Sequence, residues 1–407
     1  MKQIVLITKQ YPYSNREQFL DAELAFCSEN GIKVDIVSAF VSKRETVCRP
    51  LPEGIKSVRR FDAGTMGMKT LINSFRTFTS PVRAGEIKWL KNEKIHNSNK
   101  AKRLFIFLLK SMNIASEIEK LYKDKLEKSP EDIVLYSYWT EEAACAAAIL
   151  KNKYGCKAVS RIHGYDLYVE RHKENYFPFH RWMVSELSAV CPVSDFGREY
   201  LVEKYGDIGN LVTQRLATVD CGITPEANDK FTVVSCSNVI PLKRVSLIAE
   251  AMVKLNNKNL RWVHFGDGPL MEEVKKIVST PTDTECIIEG RVDHASIFEY
   301  YRKHRVDLFI NVSTTEGLPV SIMEAASFGI PVIATDVGGT HEIVFDGVNG
   351  SLLSPELSSD DLKEAVEKLI DMSDGERKTY AQNSRKIWLE NYDHRKTYEK
   401  FYNSLML

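Results

Sequence analysis

Short apolar runs alternate with amphipathic stretches along almost the whole chain, in two successive series. The first comprises "QIVLIT" (3–8), "KVDIVSAF" (33–40), "DIVLYSYW" (132–139), "KAVSRIHG" (157–164) and "SAVCPVS" (188–194). Runs this short and this rich in Val and Ile read as strands. Stretches such as "EQFLDAELAFCSEN" (17–30) and "EEAACAAAILKNKYG" (141–155) read as the helices between them. The texture breaks into Gly, Pro, Asn and Asp at "VDCGITPEANDK" (219–230), which reads as a linker. A second series follows: "FTVVSCSNV" (231–239), "LRWVHFGDG" (260–268), "ECIIEGRV" (285–292), "VDLFINVS" (306–313) and "PVIATDV" (331–337). Strands that alternate with helices build parallel sheets. The expected fold class is therefore α/β, with two doubly wound parallel-sheet domains at 1–225 and 226–389. The last stretch is helical, and about 390–407 is expected to cross back onto the first domain.

Bulk properties exclude several partners. The 407 residues, 43% of them hydrophobic, suffice for two such domains and exceed one compact core. Lys+Arg and Asp+Glu both number 55, and no nucleic-acid motif appears, so no nucleic-acid partner is expected. The eight cysteines are scattered without metal-ligand spacing and read as reduced thiols of a cytoplasmic protein. The N-terminus lacks a signal-peptide pattern. The run "LFIFLL" (104–109) falls far short of the ~20 residues that span a bilayer.

Open α/β sheets bind ligands beyond the carboxyl ends of their strands, and two such domains would face a central cleft. The stretch "TTEGLPVSIMEA" (314–325) sits at such a strand end. Pro319 suits the first position of a helix, which would run from about 319 to 328 and stop near Gly329. The amides of Val320 and Ser321, at the positive end of the helix dipole, would form an anion site suited to phosphate. Glu324 lies one turn further on, where a carboxylate can accept from two ribose hydroxyls. Glu316 precedes the helix, placed for the hydroxyls of a sugar. A nucleoside diphosphate sugar fits both acids; a cap or salt-bridge role for each glutamate is the alternative.

"EGLPVSIMEA" followed by "GIPVIATDVGGTHEIVFDGVNGSLL" resembles the donor-binding signature of retaining glycosyltransferases of family 4, of the bacterial polysaccharide-building type. Further motifs, "VHFGDGPL", "GRV" and "DLFINVS", fall in the family's order, and "RIHGYDLY" and "VCPVSDFGREYL" are its traces in the first half. The resemblance implies the GT-B fold, in which both domains are Rossmann-like. It further implies transfer of a hexose from a UDP- or GDP-sugar to a hydroxyl of a glycan or lipid-linked acceptor. The mechanism implied is retaining and front-face, with no metal and no cofactor. Residue by residue, it implies that Glu324 binds the ribose and Glu316 the donor sugar, with the amides of Gly317 and Leu318 nearby. Val320 and Ser321 would hold the diphosphate, and Arg291 and Val292 would flank the base. His163 would approach the donor sugar from the first domain. Lys243, in "SNVIPLKRVS", matches the family's lysine that neutralises the leaving diphosphate, and Asn238 stands where an arginine is usual. Arg244, in the usual glycine position, either replaces that cation or points to solvent.

Two rival readings share the fold: a non-catalytic partner of another transferase, and a sugar-nucleotide epimerase. Tyr11, Tyr13, Arg16 and Glu17, after the first strand, are the expected acceptor contacts. Residues 69–110 carry ten Lys/Arg against two Glu, interleaved with Phe75, Phe78, Trp89 and "LFIFLL". That pattern predicts either attachment to the inner face of an anionic membrane or a solvated charged face.

Overall fold

A computed structural model of the chain describes residues 2–14, 17, 19–42, 44–45, 49–65, 68–227 and 229–406, the side chains of Met68 and Lys69 excepted. The chain divides into two compact units, Met1–Gln214 with Tyr398–Leu407, and Arg215–Thr397.

The first unit carries β1 (Gln3–Thr8), β2 (Val34–Ser38), β3 (Ile55–Arg60), β4 (Ile133–Ser137), β5 (Lys157–Ile162) and β6 (Ala189–Pro192). Its helices are α1 (Leu20–Glu29), α2 (Met68–Thr79), α3 (Pro81–Asn92), α4 (Ser98–Lys128), α5 (Glu142–Tyr154), α6 (Gly164–Leu167), α7 (His180–Glu186) and α8 (Asp195–Tyr205). The strands form one parallel sheet in the order β3-β2-β1-β4-β5-β6.

The second unit carries β7 (Phe231–Cys236), β8 (Leu260–Phe265), β9 (Glu285–Gly290), β10 (Leu308–Asn311), β11 (Val332–Thr335) and β12 (Gly350–Leu353). Its helices are α9 (Val245–Leu255), α10 (Met271–Val278), α11 (His294–Lys303), α12 (Val320–Ser327), α13 (Ser359–Ile370) and α14 (Asp374–Asn391). A last helix, α15 (His394–Met406), completes the chain. These strands form a second parallel sheet, ordered β12-β11-β10-β7-β8-β9.

Central strands are covered on both faces, so they read as unbroken apolar runs; every residue of β4 is buried. The sequence reading omits β3 and β12. Both are edge strands, and β3, "IKSVRR", exposes Arg59 and Arg60. An edge strand needs no continuous apolar run, so periodicity alone does not mark it.

The units divide at Gln214, eleven residues before the expected 225/226 boundary. Residues after 214 are held by the second unit's own helix: Trp388 Nε1 on α14 donates to Thr218 Oγ1 at 2.7 Å, and Thr218 bridges Asp393. From Tyr398 onward α15 belongs to the first unit. There Phe401 packs on Tyr136 and Tyr402 Oη donates to Glu23 Oε1 at 2.9 Å. Glu23 and Arg161 are both fully buried, and Arg161 Nη1 donates to Glu23 Oε2 at 3.1 Å. The guanidinium also lies over the ring of Phe401, 4.9 Å from its centre.

Removing one partner of a buried pair strands the other charge. Glu23→Ala is therefore expected to destabilise the first unit by about 3–5 kcal/mol in urea unfolding. Tyr402→Phe, which removes one hydrogen bond, is expected to cost about 1 kcal/mol.

Candidate active site

Each sheet reverses its strand order once, between β1 and β4 in the first unit and between β7 and β10 in the second. Loops leaving adjacent strands part at such a point and open a crevice at the carboxyl edge.

In the second unit the loop after β7 runs from Ser237 to Arg244, and the loop after β10 runs from Val312 to Pro319. Thr314 N donates to Leu242 O at 2.9 Å and joins them. Lys243 Nζ, from the first loop, donates to Glu316 Oε1 of the second at 2.5 Å. Asn311 Nδ2 donates to the same oxygen at 3.3 Å. Two residues singled out from sequence thus meet as an ion pair that stays partly exposed. Asn238 lies exposed on the loop that carries Lys243.

Arg244 does something else. Its Nε donates to Val312 O and its Nη1 to Pro355 O, both at 2.6 Å, and its Nη2 to Ser313 O at 3.3 Å. It does not point to solvent: its donors are committed to loop carbonyls, and it braces the backbone that leads to Glu316. Gly338 sets that backbone from the other side. Its φ is +54°, and a Cβ there would lie 2.0 Å from Glu316 O. Gly339 N donates to Gly317 O at 2.9 Å.

Leu318 and Pro319 are buried, and α12 starts one residue later than expected. Pro319 is the N-cap, with an extended ψ of 103°, and its carbonyl accepts from Ile322 N and Met323 N. The amides of Val320 and Ser321 precede these first intrahelical bonds, at the positive end of the helix. Glu324, one turn on, lies 2.7 Å through Oε1 from His294 Nε2, the first residue of α11. His294 escaped the sequence reading, which named exposed Arg291 and half-buried Val292 just before it. The available signal was its place in the turn that follows β9. Cys236, at the end of β7, has its thiol pushed up to about 12, by burial first and then by the charge of Glu324, so it stays protonated.

In the first unit, His163 follows β5. Its ring packs 4.4 Å from the centre of Trp139 and 4.9 Å from that of Tyr138. Both ring nitrogens are buried without a hydrogen-bond partner. Burial first, then the charges of Arg161 and Lys9, hold its pKa well below the ordinary histidine value, so the imidazole is neutral. Asp166 accepts from His163 N at 2.7 Å and from Thr140 N at 2.5 Å. Lys9 pairs with Glu141 and lies over the rings of Trp139 and Tyr165. Lys9, Trp139, Glu141 and Tyr165 were also missed; each follows a strand end within a few residues.

Two of the expected acceptor contacts, Glu17 and Tyr11, are corrected. Glu17 is buried, and its carboxylate accepts from Lys9 N at 3.0 Å, Gln10 N at 2.7 Å, Tyr11 N at 2.8 Å and Trp139 Nε1 at 2.8 Å. It closes the loop after β1. Tyr11 is buried as well. Tyr13 Oη lies 2.9 Å from Ser57 Oγ, under the guanidinium of Arg60. Arg16 lies outside the described residues.

Residues 222–387 match the family model described as Glycosyl transferases group 1. The match lies wholly within the second unit. The chain is 25% identical to the uncharacterized glycosyltransferase MJ1178 of Methanocaldococcus jannaschii, over 73% of this chain and 80% of that protein. It is 30% identical to the O-antigen biosynthesis glycosyltransferase WbnH of Escherichia coli, over 41% of this chain and about half of WbnH (47%). Among solved structures, HepE of Anabaena in complex with UDP-glucose has a TM-score of 0.69 at 14% identity, covering 100% of this chain and 99% of HepE. Sucrose-phosphate synthase of Thermosynechococcus elongatus has a TM-score of 0.73 at 12% identity, covering 100% and 99%. The chain thus has the GT-B fold.

Gly338→Ala is expected to displace the Glu316 peptide and destabilise the second unit by about 2–4 kcal/mol in chemical unfolding. Gly347→Ala is the control, with a φ of +71° but open space around it; it is expected to cost only about 1–2 kcal/mol. The ring of His163 is expected to show no titration between about pH 5.5 and 8 in histidine-selective NMR.

Proposed function

We propose that the chain transfers a hexose from a UDP- or GDP-sugar to a hydroxyl of a glycan or lipid-linked acceptor, with retention of anomeric configuration. The observation that carries this reading is the Lys243–Glu316 pair beside the N-terminus of α12, with Glu324 one turn further on. The diphosphate lies against Lys243 and the amides of Val320 and Ser321, so a cation and a helix dipole receive its charge and no metal is required. Glu324 accepts from both ribose hydroxyls, and His294 holds its carboxylate in place. Arg291 and Val292 flank the base. Glu316 orients the sugar hydroxyls, with the amides of Gly317 and Leu318 beside it. His163, as a neutral imidazole, donates to an oxygen of the sugar or phosphate. Lys9, Trp139 and Tyr165, with Tyr13, contact the acceptor, and Glu141 holds Lys9 in place.

The bond from the sugar's anomeric carbon to the diphosphate oxygen breaks, and the acceptor oxygen bonds to the same face of that carbon. The acceptor's proton passes to the departing diphosphate. Lys243 acts most strongly here, because charge grows on the diphosphate as it leaves. The complex of HepE with UDP-glucose supports the donor class, and the name of WbnH supports a polysaccharide acceptor.

A thermal-shift panel of UDP-, GDP-, ADP- and TDP-sugars tests the donor, since a ligand of the folded state raises the melting temperature. A shift confined to ADP- or TDP-sugars would overturn the donor assignment. Glu324→Ala is expected to lose about 2–4 kcal/mol of donor affinity by calorimetry, because ribose hydroxyls lose their acceptor. Lys243→Ala is expected to slow single-turnover transfer more than it weakens donor binding. Unchanged nucleotide affinity in Glu324→Ala would remove that residue from the site.

A further inference from the structure

Helix α2 is folded inside out. Its buried positions are polar: Thr70, Asn73 and Thr77. Asn73 Nδ2 donates to Asn113 Oδ1 at 2.8 Å, and Ser116 Oγ donates to Asn73 Oδ1 at 3.3 Å, both partners on α4. Its outward positions are large and apolar: Leu71 is 67% exposed, Ile72 58%, Phe75 72% and Phe78 64%. Their spacing puts the four on one stripe of the helix. A surface helix of a freely soluble domain buries the opposite stripe, and a contiguous apolar patch rimmed by polar groups marks a contact site.

Charge narrows what that contact is. Residues 68–92, covering α2 and α3, contain Lys69, Arg76, Arg83, Lys88 and Lys91 against one acid, Glu86. Glu86 is buried, where its Oε1 accepts from Tyr176 Oη at 2.9 Å and Phe179 N at 3.1 Å. Arg76, Lys88 and Lys91 are exposed, and Arg83 lies 4.9 Å from the centre of the Phe78 ring. The two helices thus offer solvent an apolar stripe and cations, with no acid. A second copy of the same face would bring like charges together. We propose that this face docks on an anionic lipid surface, with Leu71, Ile72, Phe75 and Phe78 seated at the headgroup boundary and the cations on lipid phosphates. No helix among the described residues is long and apolar enough to cross a membrane.

This replaces the broader stretch at 69–110. Lys100, Leu104, Phe107 and Leu108 are buried, and Arg103 donates to the carbonyls of Lys173 and Tyr176. Those residues belong to the interior of the first unit and its supporting loops.

Co-sedimentation of the full chain with vesicles of phosphatidylcholine alone, or mixed with phosphatidylglycerol, tests the proposal. Binding to the mixed vesicles at low salt is expected, weakened about tenfold or more at high salt by screening. The variant Leu71→Ser, Ile72→Ser, Phe75→Ser, Phe78→Ser is expected to bind about tenfold more weakly with an unchanged melting temperature, because these side chains are exposed. The variant Arg76→Gln, Lys88→Gln, Lys91→Gln is expected to lose the preference for anionic vesicles. Equal binding to both vesicle types, or binding to neither, would overturn it. So would a dimer in sedimentation velocity that the serine variant abolishes.

Discussion

Every strand in both sheets runs parallel to its neighbours, so each connection crosses from one end of the sheet to the other. All loops that leave carboxyl ends therefore gather along one edge of each sheet. Where the strand order reverses, two of these loops leave neighbouring strands although they come from distant parts of the chain. Lys243 and Glu316 meet in this way although 73 residues separate them. The same rule collects Lys9, Trp139, Glu141 and His163 in the first unit. Parallel pairing thus precedes the chemistry: it determines which residues can become neighbours at all.

Once gathered, the loops must be held, because a carboxylate displaced by an ångström no longer meets its ligand. Much of the charge at these edges does that work. Arg244 caps three carbonyls, and Gly338 and Gly339 lock the Glu316–Gly317 peptides. In the first unit Glu17 collects three amides and an indole, and Asp166 holds the amides of Thr140 and His163. Preorganised dipoles and cations stabilise charge without reorganisation when the reaction occurs. The braces and the residues proposed to face the ligand are therefore parts of one device.

The helical layer of the first unit follows a different logic. Helices α3 and α4 bury apolar residues such as Leu90, Leu104 and Leu108. Helix α2 is attached through amides and hydroxyls instead, which leaves its apolar stripe outward. Polar attachment is what frees that stripe for another surface.

The sequence by itself determined the two α/β units and their central strands, since a strand covered on both faces must be apolar throughout. It also determined the turn at Glu316–Pro319 and the acid one turn into α12, because proline and helix spacing act over a few residues. The edge strands β3 and β12 left no such mark. Only the tertiary structure decided that Arg244 and Glu17 are braces, that His294 partners Glu324, that α2 faces outward, and that the second unit begins at Arg215. In each case the deciding partner lies far along the chain: Pro355 for Arg244, Trp139 for Glu17, Asn113 for α2, Trp388 for the boundary. Local pattern encodes burial averaged over neighbouring residues. A hydrogen-bond partner is chosen by the folded chain, and periodicity carries no record of it.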